Sequence, residues 1–346
     1  MRGMVLFLTR TFDQMQVKVK EQQTVSWGIV GCGNVTEKKS GPAFNKVPGS
    51  RLVAVMRRDG AKAADYARRH GVPKWYENAE LLIADPEVNA VYVATPPAFH
   101  EEYVIAALKA GKSVYVEKPV TTSVGSCIRM MEAAERFGGK LCVAHYRRAL
   151  PYFNSIKETI KQGTVGIVKL VKLSMFQPYR NDLIAKTEYN WRVVPGISGG
   201  GLFFDLAPHQ LDILIWLLGE PVSYHGFAVN QAKLYEAEDT VTGTILFPND
   251  VLFSGNWCFT VPQNLKQDCC EIIGEKGMIK FEVFGNRFVV KTDNGIESYD
   301  FQHPEHIQQP MIGKVVDYFL GKGDNPCPVS EALKSLEVME AFLTRN

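Results

Sequence analysis

Asp205 and His209 stand four residues apart in the run Gly199-Gly200-Gly201-Leu202-Phe203-Phe204-Asp205-Leu206-Ala207-Pro208-His209-Gln210-Leu211-Asp212. On a helix that spacing places a carboxylate and an imidazole on one face. Imidazole titrates near neutral pH, so such a pair can serve as a proton relay. Asp212, three residues beyond His209, falls on the same side of the helix. Two residues at this spacing could also hold a metal ion. A metal needs at least a third ligand, none is legible, and no metal is expected. A structural His–Asp pair is the plainer alternative.

A second chemical group is the lysine of Glu117-Lys118-Pro119, which ends an apolar run at 113–116. An ammonium at a strand end can donate to a substrate hydroxyl and stabilise an oxygen that gains negative charge. Taken alone it would be an ordinary surface lysine.

The third signal is Gly31-Cys32-Gly33-Asn34-Val35-Thr36, which follows the apolar run 25–30. Gly31 allows a tight turn, and Gly33 lets backbone approach a pyrophosphate at the start of a helix. Thr36 stands where the dinucleotide-binding pattern has its third small residue. The run 52–56 then leads into Arg57-Arg58-Asp59. Two guanidiniums suit a ribose 2′-phosphate, which favours NADP. Asp59 is the carboxylate an NAD site would use, so NAD stays possible. A solvated basic turn is the structural alternative.

These groups need a scaffold. Apolar runs at 25–30, 52–56, 88–94, 113–116 and 141–144 alternate with helical segments at 61–70, 101–110 and 126–137. That alternation predicts a doubly wound parallel sheet over 24–148, the α/β arrangement of a Rossmann domain. Strand C-terminal ends then share one edge, where Gly31, Thr95, Lys118 and His145 fall. Beyond a helix at 151–163 the pattern becomes strand-like at 165–176, 222–230, 241–247, 252–259, 269–273, 278–283 and 287–291. The apolar stretch 202–218 reads as a helix, and helices at 305–320 and 330–344 end the chain. The expectation for 149–346 is an α+β domain with a large, mostly antiparallel, open-faced sheet. Phe247, Leu252 and Phe281 are expected on one apolar face, suited to a homodimer or homotetramer. Tyr189, Trp191, Trp257 and Phe259 could stack on sugar rings, with a place in the core as the plainer reading. His225, His303 and His306 have no nameable partners.

Composition bounds the alternatives. With 346 residues, 46% hydrophobic and 22% charged, the chain has the profile of two globular domains. A formal net charge of +2 predicts no nucleic-acid or anionic-membrane partner. The seven cysteines form no C-x-x-C pair, and a reducing cytoplasm fits them. Cys269 and Cys270 should alternate faces of a strand. Residues 1–23 read as a disordered or wrongly assigned extension, a lipid anchor or signal being the lesser alternative.

The stretches GIVGCGNV, ATPPAFH, VYVEKPV and WRVVPGISGGGLFFDLAPHQLDILIWLLG together resemble the glucose–fructose oxidoreductase / inositol dehydrogenase (Gfo/Idh/MocA) family. The resemblance runs from about residue 24 to the C-terminus. It implies hydride transfer between a nicotinamide cofactor and a sugar, cyclitol or related diol. It also implies a cofactor site built from Gly31, Cys32, Gly33, Asn34, Val35, Arg57, Arg58, Thr95, Pro96, Pro97, His100, Glu117, Lys118 and Arg147. Trp191 and Arg192 resemble a segment that reaches the cofactor of the same or a neighbouring subunit. Lys118, Asp205 and His209 match the catalytic positions. In the oxidation direction His209 would accept the hydroxyl proton, Asp205 would orient the substrate or the imidazole, and Lys118 would stabilise the developing alkoxide. The departures are Thr36, and Arg57 where NAD-preferring members tend to carry Asp. Two other activities fit the fold: an NAD-dependent glycosidase working by transient oxidation and elimination, and a non-catalytic cofactor-binding sensor. The sensor should have lost the lysine or the histidine, and this chain keeps both.

Overall fold

The computed structural model describes residues 24–179 and 190–344. Its first half holds β1 (Val25–Val30), α1 (Asn34–Lys38), β2 (Ser50–Met56), α2 (Gly60–His70), β3 (Lys74–Tyr76), α3 (Ala79–Ala84), β4 (Ala90–Val93), α4 (His100–Lys109), β5 (Ser113–Val116), α5 (Val124–Arg136) and β6 (Leu141–Val143). The strands are parallel neighbours in the order β3-β2-β1-β4-β5-β6. β1 and β4 are buried at every position because helices cover both faces of the sheet. The order reverses between β1 and β4, which opens a crevice at the strand C-terminal ends. Asp59 caps α2 by accepting Lys62 N at 3.1 Å, and Gly71 at φ +65° ends that helix. β3 and α3 were not anticipated. A three-residue strand that is half exposed shows no alternation to read.

The second half holds α6 (Pro151–Lys161), β7 (Val168–Phe176), α7 (Pro195–Ser198), α8 (Gly201–Leu218), β8 (Ser223–Val229), β9 (Thr240–Phe247), β10 (Val251–Cys258), β11 (Gln267–Gly274), β12 (Gly277–Phe281), β13 (Arg287–Thr292), β14 (Gly295–Asp300), α9 (Gln309–Phe319) and α10 (Val329–Leu343). Eight strands form one sheet, ordered β14-β13-β12-β11-β7-β10-β9-β8. Every pairing is antiparallel except β7 with β10 at its centre. β14 escaped the sequence reading because its six residues carry little apolar signal.

Register corrects the expected apolar face. Phe247 pairs with Val251 while Leu252 pairs with Leu246, so Phe247 and Leu252 point to opposite sides. Phe247 and Phe281 lie in the core, and Leu252 is 56% exposed. Trp257 and Phe259 are fully buried core residues, not stacking platforms. Tyr189 lies outside the described residues. Cys270 is buried and Cys269 partly exposed, as alternation requires.

α8 is the spine of this half. Every residue from Gly201 to Ile215 is buried except Asp205. The stretch Pro195–Leu218 is long and apolar enough to cross a membrane, but here it packs inside the protein. The chain's end then returns to the first sheet. Val143 N donates to Cys327 O at 3.0 Å, and Lys140 Nζ donates to the carbonyls of Tyr318 and Phe319. Trp27 packs on Phe319 with ring centroids 5.5 Å apart.

Candidate active site

A cleft of about 940 Å³ lies over the C-terminal ends of the parallel strands. Gly31, Cys32, Gly33, Asn34, Val35, Arg57, Arg58, Thr95, Pro96, Pro97, Glu117 and Lys118 line it from the first half. Arg147, Trp191, Arg192, Asp205 and His209 line it from the second. His100 does not. It opens α4 with its ring turned inward, fully buried, with Nδ1 3.1 Å from Val120 O and Nε2 2.8 Å from Thr95 O. It braces the cleft loop from beneath and corrects the expected cofactor contact.

At the phosphate end, Gly31 has φ +94°, and a Cβ there would stand 2.9 Å from Thr95 N. Both the conformation and the close approach therefore require glycine. A Cβ on Gly33 would meet only Gly31 O, at 3.9 Å, so the missing side chain leaves the loop open. Gly31 N and Cys32 N both donate to Met56 O at 3.0 Å, which fixes the turn onto the end of β2. Thr36 has its own task here: its hydroxyl donates to Gly33 O at 2.8 Å and its carbonyl accepts Tyr66 OH at 2.8 Å. Burial pushes the Cys32 thiol up to about 11, so it is an inert wall residue. These open, glycine-bearing surfaces fit a dinucleotide diphosphate.

Arg57 and Arg58 follow β2 at the same end. Arg57 Nη1 lies 3.5 Å from Cys32 O, and the Arg58 guanidinium sits 5.4 Å above the Phe99 ring. Asp59 caps α2 and also lines the cleft beside them, so this strand end presents two guanidiniums and one carboxylate.

At the other end Lys118 Nζ donates to Asp205 Oδ1 at 2.8 Å and to the Asp205 carbonyl at 2.7 Å. Arg192 Nε donates to Asp205 Oδ2 at 3.1 Å. Burial alone would raise the Asp205 carboxyl, but Lys118 and Arg192 outweigh it and hold it well below the usual range. Asp205 therefore orients the lysine rather than the imidazole. Glu117 is held in turn by Tyr92 OH at 2.5 Å, Gln308 Nε2 at 2.6 Å and Lys118 N at 3.1 Å.

His209 is buried, with Tyr146 and Phe284 each edge-on at 5.4 Å between centroids. Its Nδ1 is buried without a hydrogen-bond partner. Burial, Lys118 and Arg147 hold its pKa well below the ordinary value, so the ring is neutral. The expected relay does not extend to Asp212. That carboxylate takes two hydrogen bonds from Arg148, at 3.0 and 2.7 Å, with His145 Nδ1 3.6 Å away. Lys39, Phe284 and Gln308 also line the cleft and were missed. Each stands in a turn or loop with no motif around it, so no local signal could have found them.

Residues 25–145 match the oxidoreductase family with an NAD-binding Rossmann fold, and residues 153–280 match the GFO/IDH/MocA C-terminal domain. The chain belongs to the Gfo/Idh/MocA oxidoreductase family. This family member is 44% identical to Oxidoreductase P35 of Formosa agariphila over 93% of the chain and 99% of that relative. It is 28% identical to trans-1,2-dihydrobenzene-1,2-diol dehydrogenase of Mus musculus over 74% of each. Among solved structures, aldose-aldose oxidoreductase from Caulobacter crescentus superposes with TM-score 0.80 at 23% identity, covering 92% of this chain and 96% of that one. Levoglucosan dehydrogenase in complex with NADH does so with TM-score 0.81 at 20% identity and the same coverage. At these identities the structures speak for the fold alone, and they place this Gfo/Idh/MocA protein in it over nearly its whole length.

Proposed function

We propose that this oxidoreductase moves a hydride between NADP(H) and a hydroxyl-bearing carbon of a sugar, cyclitol or related diol. The observation that carries the reading is the Lys118–Asp205 contact, which stands beside a neutral His209 in the same cleft as the Gly31 turn. A relative from Ensifer adhaerens, 27% identical over 68% of the chain, is a 1,5-anhydro-D-fructose reductase, and the mouse relative is a diol dehydrogenase.

A bound nicotinamide supplies the hydride acceptor or donor. This chain's residues manage the oxygen and its proton. Lys118 has given two of its three N–H bonds to Asp205. The third is available to the substrate oxygen, and it strengthens as that oxygen becomes negative. His209, being uncharged, takes the hydroxyl proton in oxidation and returns it in reduction. Arg192 keeps Asp205 ionised and so keeps Lys118 in place. Arg57 and Arg58 favour NADP because guanidinium pairs with a 2′-phosphate and would find no anionic partner on an unmodified ribose.

The test is a panel of sugars, cyclitols and diols assayed with NADP and NAD separately, following both the reduced-nicotinamide absorbance and the product. Stoichiometric cofactor reduction with a ketone or aldehyde product is expected. Aglycone release with no net cofactor change would replace the reading with redox-assisted hydrolysis.

A further inference from the structure

Among the described residues, six cations line the cleft, Lys39, Arg57, Arg58, Lys118, Arg147 and Arg192, against three acids, Asp59, Glu117 and Asp205. The imbalance is uneven along its length. Arg57 and Arg58 serve the cofactor end, and Asp59 caps α2 beside them. Lys118 and Arg192 both pair with the carboxylate of Asp205. Glu117 is engaged by neutral donors, Tyr92 and Gln308. Lys39 and Arg147 are left over: among the described residues, no carboxylate stands within ion-pair distance of either.

Arg147 is the telling one, because it is only 4% exposed. A buried guanidinium is costly without a counter-charge. Its Nη1 donates to Val283 O at 2.6 Å, and its Nε is buried with no hydrogen-bond partner. The guanidinium carbon lies 4.4 Å from the Phe284 ring centre and 5.3 Å from that of Tyr146, contacts that hold the fork in place. The same two rings flank His209 at 5.4 Å. The fork and the imidazole therefore share their walls and face one end of one cleft. Asp268, on β11, does not answer the charge. One of its oxygens accepts Phe284 N at 2.7 Å and the other is buried without a partner. Burial pushes its carboxyl up to about 6, with Arg147 only a minor opposing influence.

We infer that the substrate carries a carboxylate, paired to Arg147, at a distance from its reacting hydroxyl that places the hydroxyl at His209 and Lys118. This deepens the oxidoreductase reading and rests on it for the reacting hydroxyl. The substrate class is then a hydroxy-acid sugar, such as a uronate, rather than a neutral hexose. A charge-assisted hydrogen bond from the Arg147 guanidinium selects for the acid, and Lys39 adds to the attractive field.

The experiment compares D-glucuronate with D-glucose, and D-galacturonate with D-galactose, on the full chain saturated with NADPH or NADH. Affinity is taken from thermal shifts titrated in that reduced, non-reacting complex, and turnover from cofactor absorbance with NADP+ or NAD+ in its place. For at least one pair, the acid should bind roughly 10- to 100-fold more tightly than its neutral partner, and the preference should shrink with added salt. Arg147→Gln should collapse the acid-to-neutral ratio, and Arg147→Lys should keep part of it. Equal binding of acid and neutral partners in both pairs overturns the inference, as does a failure of both acids to bind. So does an unchanged ratio in Arg147→Gln. Acid binding with no hydride transfer would overturn the redox reading and leave the charge assignment standing. Turnover confined to neutral sugars would do the reverse.

Discussion

Lys118, at the end of β5, and Asp205, on α8, meet through two hydrogen bonds, one to the carboxylate at 2.8 Å and one to the backbone carbonyl at 2.7 Å. The pair joins the cofactor-binding half of the protein to the helix that carries His209. Lys118→Met removes the donor proposed for the substrate oxygen while keeping most of its bulk. It should lower kcat/KM by about 10²–10³-fold, the scale of losing one oxyanion donor. Steady-state kinetics beside a fluorescence titration of NADPH would separate chemistry from cofactor loss. Wild-type turnover in this variant would remove Lys118 from the mechanism.

His209→Ala should lower kcat by about 10²–10⁴-fold, the usual contribution of a general base. Because the ring's pKa is held well below the ordinary histidine value, the acid limb of the pH–rate profile should lie below ~6.5. A limb centred at the ordinary histidine value would show that the imidazole is less enclosed than the structure has it.

The same burial has a stability consequence. His145 is pushed down to about 4 by burial, and His100 and His209 also move downward. The unfolded chain binds protons at these rings near pH ~6.5 and the native chain does not. Their contribution to stability is therefore complete above that pH and is lost as pH falls toward 4. The Tm should drop steeply across this window, and His145→Gln should flatten the drop. An identical slope in the variant would assign the acid sensitivity elsewhere.

Arg57→Ala and Arg58→Ala should each raise KM for NADP by about 10- to 100-fold, as expected for the loss of one charge-assisted contact to phosphate. KM for NAD should change far less. Parallel loss for both cofactors would mean that the arginines support the loop and not the 2′-phosphate.

Gly31→Ala should destabilise the protein by ~1–3 kcal/mol, since the new Cβ meets Thr95 N at 2.9 Å in a left-handed conformation. Gly33→Ala should be milder in urea denaturation, because its Cβ meets only Gly31 O at 3.9 Å, yet it should weaken cofactor binding by occupying the open side of the loop. Equal denaturation midpoints for the two variants would contradict the difference in their surroundings.

What the sequence made legible was local. The Gly31 turn after β1, the lysine ending β5 and the i, i+4 pair on α8 each fit within one element and its edge, where hydrophobic periodicity and residue type carry the signal. What it hid was relational. Nothing in the run around Asp205 says that its partners are Lys118 and Arg192 rather than His209, because that choice depends on how α8 docks on another half of the chain. Phe247 and Leu252 looked alike as apolar strand residues, and only the turn between β9 and β10 sends them to opposite faces. His100 matched a motif that suggested a cofactor contact, yet its ring turned inward to two carbonyls. Lys39, Phe284 and Gln308 reach the cleft from turns and loops that no short pattern marks.

The return of the C-terminus to the first sheet governs the order in which this protein can be finished. β6 depends on Cys327 for the partner of Val143 N, and Glu340 on α10 receives Val124 N, the first amide of α5, at 2.8 Å. Gln308 ties the carbonyl of Lys39, just beyond α1, to Glu117 beside Lys118. A nascent chain emerging from the ribosome therefore has its nucleotide-binding half unsealed until its last helices are released, and a fragment ending near residue 150 would expose the surface they cover.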